Sequence, residues 1–184
     1  MDEAARAGNA VGMSARAVLR SATTAKHEVV DAAFGRYDLT DPVSYGCFLT
    51  AHARVLPSVE AVLATWETIP AFAPRTDALQ ADLATLGLAM PDPLLLAPPE
   101  NEAAAFGALY VIEGSRLGGA MLARQVPDAL PRSYLSAVHP PGGWRAFGEL
   151  LDRAERAGDP SWIDRAVVAA EATFDLYAEA ARGV

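Results

Sequence analysis

The sequence predicts an all-α domain. Apolar residues recur at helical spacing along its 184 residues, and no stretch shows the two-residue alternation of a half-buried strand. Proline and glycine mark the breaks between the helical segments. A hydrophobic content of 52% is too high for a disordered chain, and the length suits one domain with a real core. A flexible polar leader is expected over residues 1–13 and a single helical domain over 14–184.

The first helix is expected over 14–34, with Ser14 as its N-cap. Asp41 caps the second, with Pro42 at its first helical position. That helix is expected to run to residue 66 and to bend near Pro57. A shorter helix follows over 76–86, then the proline-rich connection "MPDPLLLAPP". A long glycine-bearing helix is expected over 100–125. "HPPGG" precedes a helix over 144–157, and Asp159 or Ser161 caps the last, which runs to 182.

A net charge of −8 argues against nucleic acid as a partner. No apolar run is long enough to cross a bilayer. The start, "MDEAARAGNAVGMSARAV", lacks the pattern of a signal peptide, so a cytoplasmic location is expected. The one cysteine, Cys47, excludes an internal disulfide and a Cys-based zinc cluster. Within "YGCFLTA" it reads as a buried, inert thiol.

In the first helix, Arg20, Thr23, His27, Asp31 and Phe34 share one face at three- and four-residue steps. Arg20 and His27 stand roughly 10 Å apart along the axis. That spacing suits a planar ligand with a metal at its centre and carboxylates at its edge. His27 would bind the metal through a neutral ring nitrogen, and Arg20 would meet a carboxylate. Asp31, one turn on, would accept a hydrogen bond from the other ring nitrogen, directly or through water. Taken alone, a single helical histidine is more often a surface or satisfied core residue. His52, among apolar neighbours, reads as a packing residue, and His139, before two prolines, as a surface one.

The stretch "YVIEGSRLGGAMLARQV" places Gly114, Gly118 and Gly119 within two turns. Each glycine inside a helix costs about 1 kcal/mol relative to alanine. One explanation is close helix packing through a G-x-x-x-G face. The other is a flat ligand against bared backbone, with Gly118-Gly119 inviting a kink. No His, Asp or Glu lies between Gly114 and Gly119. Arg116, within that run, reads as a solvated surface residue.

"RSATTAKHEVVDAAF", followed by "SYGCFLTAHARVLPSVE" and "LYVIEGSRLGGAML", resembles the heme oxygenase family. It is closest to the bacterial branch, which includes suppliers of biliverdin to bacterial phytochromes. The resemblance spans residues 19–177 and is specific because both motifs occur at the family's separation. It implies a helical bundle with heme sandwiched between a proximal and a distal helix, and oxidative cleavage of heme to biliverdin, carbon monoxide and ferrous iron. Oxygen is the oxidant, and a ferredoxin or a reductase supplies electrons. His27 becomes the proximal iron ligand, Arg20 a propionate contact, and Arg145 in "GWRAF" a second one. Gly114, Ser115, Gly118 and Gly119 fall on the distal helix, with Gly114, Ser115 and Gly118 beside the chemistry. An imidazole ligand suits oxygen binding, whereas a thiolate would favour O–O cleavage. Two positions depart from the family pattern: Ser115 replaces the aspartate of the mammalian branch, and Asp31 replaces a glutamate. The rival readings are a non-catalytic heme or tetrapyrrole carrier of the same fold, and a helical module without heme.

Overall fold

A computed structural model describes residues 13–184. Most of the leader expected over 1–13 therefore lies outside the described residues. Among these the chain is helical and contains no strand.

The expected first helix is two: α1 (Ala15–Ala22) and α2 (Thr24–Phe34). Thr23 separates them, and its hydroxyl donates to the Leu19 carbonyl at 2.8 Å. Such a back-bond competes with the helical backbone and bends it. The main-chain ladder still crosses the break, from Thr23 N to Leu19 O and from His27 N to Thr23 O. Helical register is therefore kept on both sides. Ser14 caps α1 as expected, its hydroxyl accepting from Ala17 N at 3.2 Å.

Asp41 likewise caps α3 (Pro42–Ala53), accepting from Ser44 N at 2.7 Å. The expected bend near Pro57 is a full break, and α4 (Leu56–Leu63) starts afresh with Pro57 in its first turn. Pro57 has no N–H with which to continue the α3 ladder. Next come α5 (Thr76–Thr85) and α6 (Glu102–Leu122), the latter capped by Asn101. The helix passes without a break through Gly114, Gly118 and Gly119.

The short α7 (Ser133–Ser136) has no counterpart in the sequence reading. Its cause is distant in the chain. The buried Asp82 carboxylate accepts the otherwise unpaired N–H groups of Ser133 and Tyr134, at 3.0 and 2.8 Å. α8 (Gly143–Ala157) follows Gly142, whose φ of +79° favours glycine. Before α9 (Trp162–Arg182), the Asp159 carboxylate binds Ser161 N and Oγ, while the Ser161 side chain caps nothing.

α9 is the keel of the molecule. It packs most extensively along α6, then along α2, and also touches α1 and α3. Gly107 permits the approach to α6, because a Cβ there would collide with the Ala166 carbonyl. α1 packs on α8, whereas neither α1 nor α2 packs along α6. Those helices are the expected proximal and distal walls, so each wall hangs on α9 with little direct packing between them.

Candidate heme site

The proximal wall is open. His27 and Asp31 have side chains 59% and 67% exposed. Asp31 Oδ2 lies 3.0 Å from His27 Nδ1, so the shorter acid reaches the ring without an intervening water. The contact assigns Nδ1 as the proton-bearing nitrogen and leaves Nε2 free to ligate. The ring edge of Phe174, from α9, meets the imidazole at 5.7 Å.

Arg20 is exposed and forms no ion pair among the described residues. Thr23 was expected on the ligand face, but it is buried and its hydroxyl is committed to Leu19. It lies beside the phenol of Tyr110 on α6. Burial pushes that phenol's pKa up, against the opposing effects of the Thr23 hydroxyl and of Arg20 and Arg16. Tyr110 is therefore the point where the two walls meet.

The three glycines have three different surroundings. A Cβ on Gly114 would sit 3.5 Å from the Trp144 indole, in ordinary contact. One on Gly118 would meet nothing within 4 Å among the described residues. One on Gly119 would press on the Leu135 carbonyl at 3.2 Å. Packing thus accounts for Gly119, an indole faces Gly114, and only Gly118 faces open space. Trp144 also stacks on Phe147 at 5.5 Å, and the Arg16 guanidinium lies over it at 5.8 Å. Arg145, its neighbour on α8, is exposed and makes no ion pair among the described residues.

Behind these glycines lies a buried polar lattice. The Ser115 hydroxyl donates to the Ile112 carbonyl at 2.7 Å and accepts from Arg75 Nη2 at 2.8 Å. A hydroxyl has one proton and two lone pairs. Ser115 therefore keeps one lone pair, which can accept from a water and cannot donate to one. Arg75 also donates to Ile112 O, and the Glu60 carboxylate holds Arg75 N at 2.8 Å. Its guanidinium lies 5.1 Å from the centre of the Tyr134 ring. The Tyr134 hydroxyl in turn pairs with His52 Nδ1 at 2.9 Å. Burial, helped by Arg75, drives the His52 pKa down to about 3, so this packing histidine is neutral. Among the described residues, Arg75 Nε and the Tyr177 hydroxyl are buried without a protein partner.

Two sequence expectations fail here. Arg116 is not solvated: its side chain is 5% exposed, pairs with Glu113 at 3.0 Å, and binds the carbonyls of Ala137 and Ala73. His139 is not a surface residue. Its Nε2 meets Glu113 O at 3.0 Å, and its Nδ1 lies 3.5 Å from the Glu113 carboxylate. Both side chains staple loops to α6, and burial of the charges requires that pairing. Cys47 is half-buried rather than fully enclosed.

Arg75, Tyr110, Trp144 and Glu113 carry much of this architecture and were missed. Arg75 follows a proline in "FAPRT", where no periodicity singles it out. Trp144 sits beside Arg145 in "GWRAF", where no spacing marks the indole.

Heme fits what these residues offer. A histidine with one nitrogen held and one free stands on one wall. A glycine surface with room over Gly118 stands on the other. Arg16 and Arg20 supply positive charge near the seam. The fold and the site together define an all-α protein with a histidine on one wall and a glycine-bared helix on the other.

A heme oxygenase of Xanthomonas campestris pv. campestris (strain 8004) is 34% identical over 125 residues, covering 61% of this chain and 74% of that one. The solved NO- and CO-bound heme oxygenase of Neisseria meningitidis superposes with a TM-score of 0.79 at 27% identity, over 94% of this chain and 92% of that one. No family model matches the chain. The chain belongs to the heme oxygenase family.

Proposed function

We propose that this chain is a working heme oxygenase, cleaving heme to biliverdin, carbon monoxide and ferrous iron with dioxygen and external electrons. The observation that carries this is the pairing of a ligation-ready His27 with an α6 surface left open over Gly118. Bound heme supplies the iron that activates dioxygen and the ring that is cut; the residues hold, orient and hydrate it.

His27 would ligate through Nε2, with Asp31 fixing the tautomer and the orientation of the ring. Arg20 and Arg145, both without ion-pair partners among the described residues, are the assigned propionate contacts, and their exposure suits mobile carboxylate partners. The structure supports no direct polar role for Thr23, whose part is to set the break in the proximal helix. On the distal side, Gly118 leaves room for the ligand and Ser115 accepts one hydrogen bond from a water above the backbone. Arg75 holds Ser115 in that orientation. A water that donates to Ser115 keeps its second proton for the reacting side. Gly119 serves packing against α7, and Gly114 admits the Trp144 indole.

A ferredoxin or a reductase is the assigned electron source, and a bacterial phytochrome is a candidate acceptor of biliverdin. The family resemblance supports both. A cytoplasmic location fits a reaction that draws on such donors, and among the described residues no helix is long and apolar enough to cross a membrane.

The test begins with hemin added to the purified protein. A Soret band should appear. With ascorbate, or ferredoxin and its reductase, in air it should decay to a biliverdin spectrum with release of iron. A Soret band that persists under reduction would leave a carrier. No Soret band at all would remove heme from the account.

A further inference from the structure

A second concave surface lies on the other side of the keel from His27. α9 turns Phe174 and Tyr177 inward, the former against His27. Its opposite face, with Val168, Ala172 and Leu176, forms the floor of an open groove of about 700 Å³. Ala104 and Ala108 of α6 complete the floor, and Leu95 with Pro98 builds the far wall. None of these residues belongs to the heme site described above.

The groove's apolar surface is left uncovered. Leu95 is 77% exposed and Val168 is 65% exposed. A pocket built for a small molecule encloses most of its ligand, whereas this one stays open along positions 164–179 of α9. At 1.5 Å per residue that is about 22 Å of helix. The length and the small alanine floor match an amphipathic helix laid into a groove.

The rim is predominantly acidic. Glu100, Asp164, Asp175 and Glu179 line it, with Arg165 as the one cation in the lining. Arg165 is occupied by Asp159, at 2.8 and 3.1 Å. Asp175 is held by Lys26 of α2 at 2.7 Å. Glu100, Asp164 and Glu179 form no ion pair among the described residues. An apolar floor between unpaired carboxylates selects an apolar helix flanked by lysine or arginine. A second copy of this chain, with a net charge of −8, would meet repulsion there, and so would an anionic membrane.

We propose that this groove docks a basic amphipathic helix of a partner protein. The aliphatic face of that helix lies on α9 and α6, and its cations pair with Asp164, Glu100 and Glu179. The site is separate from the heme slot, so it stands or falls independently of turnover.

The test uses a fluorescein-labelled amphipathic peptide of about eighteen residues with leucine and alanine on one face and lysine on the other. Its isosteric glutamate version is the control. Fluorescence anisotropy with heme-loaded protein should show the lysine peptide binding at least about tenfold more tightly than the glutamate peptide. Val168→Arg, and separately Asp164→Lys with Glu179→Lys, should each weaken that binding about tenfold or more and leave the Soret band unchanged. Glu67→Lys, on a distant loop, should leave the binding as it is. Equal binding by both peptides, or binding weakened as much by Glu67→Lys as by the groove variants, would reduce the effect to net charge and overturn the proposal. So would sedimentation showing a dimer that Val168→Arg dissolves, or groove-dependent capture by phosphatidylglycerol vesicles.

Discussion

The two walls of the heme site are built on opposite principles. The proximal wall is exposed, and the His27 ring meets Asp31 and the edge of Phe174. The distal wall is backed by the Arg75, Arg116 and Glu113 lattice, most of it buried. The role proposed for the proximal side would therefore rest on exposed, replaceable side chains, His27 above all. On the distal side it rests on backbone, and stability and function are entangled there.

Four measurements would break or sharpen that contrast. The largest effect is expected from Arg116→Met, which takes the 3.0 Å partner from the buried Glu113 carboxylate, leaves it the 3.5 Å approach of His139 Nδ1, and frees two loops. Removing one partner of a buried pair costs about 3–5 kcal/mol, to be read from urea unfolding of the heme-free protein. A loss below about 1 kcal/mol, typical of exposed pairs, would mean the distal lattice is not what holds the fold.

His27→Ala should abolish native ligation and cut biliverdin formation by about 100-fold or more, beyond the loss from removing a supporting partner of a metal ligand. Its unfolding free energy should stay within about 0.5 kcal/mol of the parent, as for an exposed site. An unchanged Soret band and turnover rate would refute the proximal assignment.

The third concerns acid. His52 has a folded pKa of about 3, against an ordinary value of 6.5. Between those values the unfolded chain binds the proton and the fold does not. Stability therefore falls as pH falls through that window, by up to about 1.4 kcal/mol per pH unit from this group. His52→Gln should flatten that limb of the stability–pH curve. A parallel limb in the variant would assign the acid sensitivity to carboxylates instead.

The smallest effect separates the glycines. Gly118→Ala meets no neighbour and relieves a helix-interior glycine, so the heme-free fold should gain up to about 1 kcal/mol. Turnover should nevertheless fall, because the methyl enters the slot. Gly119→Ala should instead lose stability, through the 3.2 Å approach to Leu135 O. Equal effects from both would deny them their different roles.

Local rules made most of the fold legible. Ser14 and Asp41 announced their helix starts because a cap is written within four residues. The break at Thr23 is not marked in the sequence, because Thr23 and Thr24 make the same back-bond, to Leu19 O and Arg20 O, each at 2.8 Å. α7 was illegible because its cap, Asp82, lies 51 positions from the N–H it binds. The candidate site divides the same way. His27 and Asp31 are one turn apart and were read directly, as was the glycine run. Arg75 reaches Ser115 across 40 positions, and no spacing rule spans that distance. Arg116 and His139 were misread because charge and proline suggest surface until tertiary partners are known.

Because the proximal and distal helices share a keel and little direct packing, each can drift without forcing its counterpart to follow. A lineage can exchange the acid behind the histidine, or the residue after the first distal glycine, one substitution at a time. The hull in which both are mounted stays the same. Asp31 and Ser115 stand on different walls, so a substitution at either meets no packing demand from the other.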